Sequence, residues 1–249
     1  MFHLLGRALR HLFYGIDFVL VTTLAYGLSY LPGRWLGDRY PALFRVWCRS
    51  FVRALGVDLH VHQKNRRPLP RRYLLIANHP SAFEDIGIPA VFPVDSLAKI
   101  EVRDWWIVGR ISQAAGTLYV HREERESRRE AFDQVAAALR AGRSVVIYPE
   151  GGCKGRRIFE TFRYGPFEIA AQTGTPILPV FLHYESQDDF EWGPGQTLPQ
   201  KIWQIFRSRN KRVNYYVYDA IDPRAYPDKE ALMRHLHELY LSWQTRYLD

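Results

Sequence analysis

The chain has 249 residues, enough for one large α/β domain or a core with a small extension, and its 47% hydrophobic and 14% aromatic content excludes a disordered chain. A net charge of +8 favours anionic partners, be they nucleic acid, phospholipid headgroups or a phosphorylated substrate. Two cysteines, Cys48 and Cys153, make no disulfide framework and fit a reducing compartment, and nine histidines without clustered ligand spacing argue against a zinc centre.

Residues 12–31 contain one charge, Asp17, in a run just long enough to span a bilayer. Glycines, threonines and tyrosines dilute it, an acidic residue within a span is costly, and no small-residue cleavage pattern follows. Neither a convincing span nor a removed signal peptide is expected. After Pro32-Gly33, residues 40–55 form a strongly amphipathic helix. Arg45, Arg49 and Arg53 recur every fourth residue on one face, with Leu43, Phe44, Trp47, Phe51 and Leu55 mostly opposite. The pair reads as an N-terminal amphipathic two-helix membrane-interface motif, with arginines on anionic headgroups; helices packed on the core are the alternative. Residues 1–56 are accordingly assigned to a helical membrane-associating segment and 57–249 to an α/β domain.

Val57, Leu59 and Val61 alternate with polar residues as a half-buried strand, on which His60 and His62 share a solvated face. Residues 73–77 are apolar enough for a buried strand, and Asn78-His79-Pro80-Ser81 breaks it, since proline has no N–H to give a ladder. Ser81 and Glu84 have capping-box spacing, which predicts a helix carrying Glu84 and Asp85 in its first turn. A carboxylate one turn from a strand-end histidine can hold one imidazole nitrogen protonated and leave the other free to take a proton. A histidine that merely caps a polar turn is the competing reading.

Short strands follow at 96–98, 116–122 and 144–148. The aromatic helix from Asp104 lies between the first two, and a helix from Ser127, with Glu130 in capping-box register, runs to Gly142 before the third. The last strand leads into the glycine-rich loop 149–155. A helix at 166–173, a buried strand at 177–182, a polar loop at 188–200, a basic patch around Lys201 and Trp203, a strand at 213–218 and a final helix capped by Asp228 complete the chain. This alternation predicts an α/β fold, a largely parallel sheet covered by helices, whose ligands sit beyond the carboxyl ends of the strands. His79, Arg122 and Glu150 each follow a strand at that edge, so three separate polar motifs converge there.

Asn78-His79-Pro80-Ser81 with Asp85 resembles the first motif of the glycerolipid acyltransferases, the PlsC-like lysophospholipid or 1-acylglycerol-3-phosphate acyltransferases. The usual spacing places four residues between His and Asp; Glu84 stands there, and Asp85 follows after five. The resemblance leaves both open as partners of His79 and favours Asp85. Residues 116–122, GTLYVHR, are similar to the second motif, and Tyr148-Pro149-Glu150-Gly151 to the third. There the family usually continues Thr-Arg-Ser, where this chain has Gly152-Cys153-Lys154. Phe162-Arg163-Tyr164-Gly165 and residues 177–180 resemble two downstream elements.

The resemblance implies acyl transfer from acyl-CoA or acyl carrier protein to a lysophospholipid hydroxyl such as that of lysophosphatidic acid. Neither cofactor nor metal is implied. His79 would be general base with Asp85 orienting it; Arg122, with Lys154, Arg156 or Arg157 as looser help, would hold a phosphate or acidic headgroup. Glu150 and Gly151 would meet acceptor hydroxyls, and amides after Ser81 would face the oxyanion. Cys153 as an acyl-accepting nucleophile would make the reaction two-step, but no base adjoins it in sequence. The rival readings are a different amphiphilic acceptor (an aminolipid, glycolipid or pigment) and a non-catalytic membrane-binding protein. A nucleic-acid binder using the patch at 201–212 has no recognition motif to support it, so membrane lipids and not nucleic acid are the expected partners. The expected location is the cytoplasmic face of the inner or plasma membrane.

Overall fold

The computed structural model describes residues 2–37, 39–193 and 195–249. Its elements run α1 (Phe2–Leu28), α2 (Gly33–Leu36), α3 (Arg39–Leu55), β1 (Asp58–Gln63), β2 (Leu74–Ala77), α4 (Glu84–Val91) and β3 (Asp95–Lys99). A 3-10 turn at Ile100–Asp104 leads to α5 (Trp106–Ala114), β4 (Leu118–Val120), α6 (Arg125–Arg140) and β5 (Val145–Ile147). The chain ends with α7 (Gly165–Thr173), β6 (Ile177–Tyr184), α8 (Gln187–Phe190), α9 (Leu198–Arg207), β7 (Arg212–Val217) and α10 (Lys229–Tyr247).

The strands form one sheet in the order β1-β7-β6-β2-β5-β3-β4. Every neighbouring pair is parallel except β6 and β7, as expected of a largely parallel sheet. β2 lies at the centre, and Leu74, Leu75, Ile76 and Ala77 are all fully buried because both faces of the sheet are covered. Alternation divides them. Leu75 and Ala77 join Val146, Leu178, Leu182 and Tyr215 against α3 and α4, whereas Leu74 and Ile76 join Val145, Phe181 and Leu139 against α6, α7 and α10. Burying each of these leucine or isoleucine side chains stabilises the fold by about 1.5–3 kcal/mol.

The N-terminal helices share this core. Phe18 stacks on Phe51 at 4.6 Å, Trp47 Nε1 donates to Thr22 Oγ1 at 2.9 Å, Tyr40 donates to the Ala25 carbonyl, and Ser50 Oγ donates to Asp17 at 2.6 Å. The one acidic residue of α1 therefore faces α3. The boundary expected at 56–57 falls between α3 and β1, and side chains from both sides of it contribute to a single core. The other side of α1 is bare: Leu9, Leu12, Phe13, Ile16 and Leu20 are all exposed, at the spacing of one helical stripe. Trp106, at the start of α5, is 80% exposed.

Other local expectations shift for physical reasons. Ser127 lies inside α6, and its hydroxyl accepts the His121 amide at 2.9 Å instead of capping the helix. Lys201 is not a surface cation; its ammonium is buried against the carbonyls of Asp189 and Glu191 and the Gln204 side chain. Residues 188–200 are not wholly loop, because α8 and the start of α9 occupy part of them. Gly142, with φ 86°, follows the end of α6 as expected of a helix-stopping glycine, and Asp228 caps α10 by accepting the Ala231 amide at 2.7 Å.

Candidate active site

β2, β4 and β5 are co-directional, so the residues leaving their carboxyl ends meet along one edge. Asn78 closes β2 by giving its side chain to the next strand: Nδ2 donates to the Leu182 carbonyl at 3.0 Å, and Oδ1 accepts the Leu182 amide at 2.7 Å. This amide takes the place of a ladder pair and lets the main chain turn away at His79.

His79 is 4% exposed. Its ring stacks on Tyr148, the residue following β5, with centroids 4.0 Å apart and planes 11° from parallel. Its backbone N–H donates to Glu150 Oε1 at 2.8 Å. Nδ1 stands 3.7 Å from Glu84 Oε2, and Nε2 stands 3.4 Å from Cys153 Sγ. Neither Nδ1 nor Glu84 Oε2 has a hydrogen-bond partner among the described residues.

The helix start explains which carboxylate reaches the ring. α4 begins at Glu84, not directly after Ser81; residues 81–83 turn instead, with Ser81 Oγ accepting the Phe83 amide at 3.1 Å. Glu84 reaches back to the Ser81 amide with Oε1 at 2.9 Å, which aims Oε2 at His79. Asp85, the partner the resemblance favours, is one helical step further round, and no ion pair within 4 Å joins it to the ring among the described residues. The Phe83 amide, one of those after Ser81 expected to face an oxyanion, is already hydrogen-bonded within this turn.

Burial controls the charge here. It lowers the pKa of His79 to about 4, with the charge of Asp85 pulling the other way and Arg122 adding to the depression. It raises Glu84 to about 8 and Glu150 to about 7, although backbone amides donate to both carboxyls. Desolvation raises the Asp85 carboxyl as well, against the pull of His79. Tyr148, Tyr184 and Tyr215, all buried, are pushed well above the ordinary tyrosine value by burial and by Glu84, so their hydroxyls stay protonated.

The loop after β5 supplies cations. Arg122 donates to the Gly151 carbonyl at 2.9 Å, which fastens the end of β4 to this loop. A Cβ added at Gly151 would lie 3.3 Å from Arg163 Nε, and one at Gly152 would lie 3.1 Å from an Arg122 nitrogen, so the two guanidinium groups flank the turn. Lys154 is exposed and sits over the Phe159 ring at 4.8 Å. Arg156 is committed to Asp188 and Glu191, and Arg157 to Asp249 at 2.7 Å, so neither is the loose anion contact expected of it. Glu150 is 1% exposed, with Oε1 on the His79 amide and Oε2 on the Phe159 amide at 3.1 Å. In this geometry its two carboxyl oxygens brace the turn that carries His79 against the loop at Phe159. Lys99 pairs with Glu101 at 2.6 Å.

Three contacts were outside the reach of sequence reasoning: the Tyr148 stack, the Asn78 brace and Cys153 against His79. Their signals, an aromatic, an amide and a thiol inside recognised motifs, were present, but their partners lie 69 to 104 residues away and only strand order brings them together. What results is a buried imidazole with a carboxyl on one nitrogen and a thiol on the other, beside a cationic turn. It suits proton removal next to an anionic group.

Comparison with known proteins gives a family and a fold for the chain. Residues 58–183 match the family model described as Acyltransferase. The 1-acyl-sn-glycerol-3-phosphate acyltransferase of Neisseria meningitidis serogroup B is 26% identical over 197 residues, covering 76% of each chain. The lyso-ornithine lipid O-acyltransferase of Pseudomonas aeruginosa is 30% identical over 155 residues, covering 62% of this chain and 58% of that protein. The crystal structure of the 1-acyl-sn-glycerophosphate acyltransferase PlsC from Thermotoga maritima superposes over 96% of this chain and 97% of its own with a TM-score of 0.63, at 21% identity, which establishes a shared fold.

Proposed function

The chain belongs to the glycerolipid acyltransferase family, and from that premise we propose that it moves a fatty acyl group from an acyl thioester, on CoA or acyl carrier protein, to the hydroxyl of a lysophospholipid-like acceptor. The observation that carries this reading is His79, held by strand end, Tyr148 stack and Glu150 brace with a carboxyl 3.7 Å from Nδ1. The unprotonated Nε2 takes the hydroxyl proton as oxygen attacks the thioester carbonyl. Glu84 orients the ring and balances the imidazolium that forms. Asp85 assists from further off, because its negative charge raises the basicity of His79. Arg122 offers a planar fork to a phosphate or carboxylate headgroup, with Arg163 and Lys154 adding positive potential around Gly151.

The bare stripe of α1 would lie in the interfacial region of the cytoplasmic leaflet, where a lipid acceptor can enter the histidine edge without leaving the bilayer. Residues 9–28 also have the length and apolarity of a span. The contacts that tie Asp17, Thr22 and Ala25 along α3 favour a helix lying on the surface.

An aminolipid acceptor is the second reading, favoured by the similarity to a lyso-ornithine lipid enzyme and by the departure at residues 152–154. Assay of the purified chain on vesicles with labelled acyl-CoA or acyl carrier protein and a panel of lyso-acceptors decides between them. Preference for lysophosphatidic acid supports the first reading and preference for a lyso-aminolipid the second; transfer to neither contradicts both.

A further inference from the structure

An open cleft of about 590 Å³ lies between α8 and α9, apart from the groups assigned above. Topology puts it on the catalytic edge. β6 runs parallel to β2 and leaves the sheet at Tyr184, β7 returns antiparallel from Arg212, and α8 and α9 fill the excursion between them. The excursion is fastened to the histidine turn and to the loop after β5. The Trp192 amide donates to the Pro80 carbonyl at 3.0 Å, and Arg156 pairs with Asp188 and Glu191.

The floor of the cleft is preformed. Lys201, 1% exposed, donates from beneath to the carbonyls of Asp189 and Glu191, and the Asp189 carboxylate accepts the hydroxyls of Ser186 and Ser208. These bonds hold α9 against α8. The rim is different. Arg207 and Arg209 are exposed, and neither guanidinium joins an ion pair or a hydrogen bond among the described residues. Trp203 stacks on Phe206 at 5.8 Å with planes 22° apart, which fixes the indole while 59% of the residue stays exposed.

A fixed, exposed indole beside two uncommitted guanidinium forks is the chemistry that holds a nucleotide, with the base on the ring and the phosphates on the forks. The volume is that of a small-molecule site. The concave shape and polar floor suit such a ligand better than a bilayer, for which the bare stripe of α1 is the more apolar surface.

Resting on the acyl-transfer reading above and deepening it, we propose that this cleft seats the nucleotide end of coenzyme A, so that the acyl donor is an acyl-CoA. The adenine lies on Trp203 and the phosphates take Arg207 and Arg209. The pantetheine arm then runs past Trp192 and Pro80 and brings the thioester carbonyl to His79. Arg122 serves the acceptor, so the anionic ends of the two substrates are held at separate cationic places on one edge.

The test titrates CoA, which carries no acyl group, into the detergent-solubilised full-length chain by calorimetry, with pantetheine as the probe that lacks the nucleotide. CoA should bind about tenfold or more tightly than pantetheine. Trp203→Ala, and Arg207→Gln combined with Arg209→Gln, should each weaken CoA binding by about tenfold or more. In turnover the same variants should lower the preference for acyl-CoA over acyl-pantetheine by a similar factor, through the donor KM. Equal binding of CoA and pantetheine, or variants within about twofold of the parent in CoA affinity, overturns the inference. So does a loss confined to acyl carrier protein as donor, which makes the cleft a protein-docking face, or to vesicle binding, which makes it a headgroup contact. In each of those cases acyl transfer stands as long as turnover depends on His79. CoA binding that the variants weaken, with no transfer from any thioester, supports the nucleotide seat and refutes the acyl-transfer reading instead.

Discussion

Replacing Glu84 with glutamine removes a fully buried carboxyl while keeping its shape and the acceptor for the Ser81 amide. Burial raises the Glu84 pKa from 4.5 to about 8, so the folded state holds that proton more tightly than the unfolded chain does. The stabilisation is complete below about pH 4.5 and is lost as pH rises to about 8. At about 1.4 kcal/mol for each pH unit, the interval amounts to roughly 5 kcal/mol as an upper figure. The unfolding free energy of Glu84→Gln minus that of the parent should therefore widen by about 1.4 kcal/mol per unit between pH 5 and 8 and then level off. Glu150, raised to about 7 mainly by the same burial, contributes a background slope to both proteins, slightly smaller in the variant because the Glu84 charge adds to its shift. Urea unfolding followed by tryptophan fluorescence in a non-ionic detergent across pH 5–9 measures it. A difference that stays constant over this range would refute the reasoning, because Glu84 would then ionise alike in the folded and unfolded chain. The same ionisation should appear in catalysis. His79, lowered to about 4, is neutral throughout, so kcat/KM should climb towards about pH 8 as Glu84 ionises, and this limb should vanish in Glu84→Gln.

Three further outcomes follow from the geometry. Arg122→Ala should raise the acceptor KM by about 10- to 100-fold, with Arg122→Lys intermediate because it keeps the charge and loses the fork, as initial rates with a phosphate-headed acceptor would show. Phe13→Asp with Ile16→Asp should weaken vesicle cosedimentation by about tenfold or more without lowering the thermal midpoint, since both side chains are exposed. Tyr240→Phe should cost about 1–3 kcal/mol in urea unfolding, because the lost hydroxyl donates to the Ile76 carbonyl at 2.7 Å and accepts the Val180 amide in the fully buried centre.

The central strand and its turn were legible because β2 is apolar throughout and Pro80 stops it. The parallel sheet was legible from the alternation of strands and helices, which also placed Arg122 and Glu150 on the histidine edge. β1 was seen as a strand, but not its pairing with β7, whose register begins Asp58 to Arg212; nothing local encodes a partner so distant. The choice between Glu84 and Asp85 turned on where α4 starts, a matter of one residue that capping-box spacing does not resolve. Cys153 was set aside for want of an adjoining base, since a contact between residues 74 apart is made by strand order and by two glycine turns. Lys201 reads as surface charge in a basic run, yet the α8–α9 turn presents enough carbonyls to hold it inside.

The most direct measurement compares acyl transfer by vesicle-bound His79→Ala with that of the parent at equal bound protein. A buried base that every proton must pass predicts a loss of about 10³-fold or more with vesicle binding retained and the protein still folded at the assay temperature. Turnover within about tenfold of the parent would show that the proton leaves by another route, and that the imidazole at the end of β2 is not the group that drives the reaction.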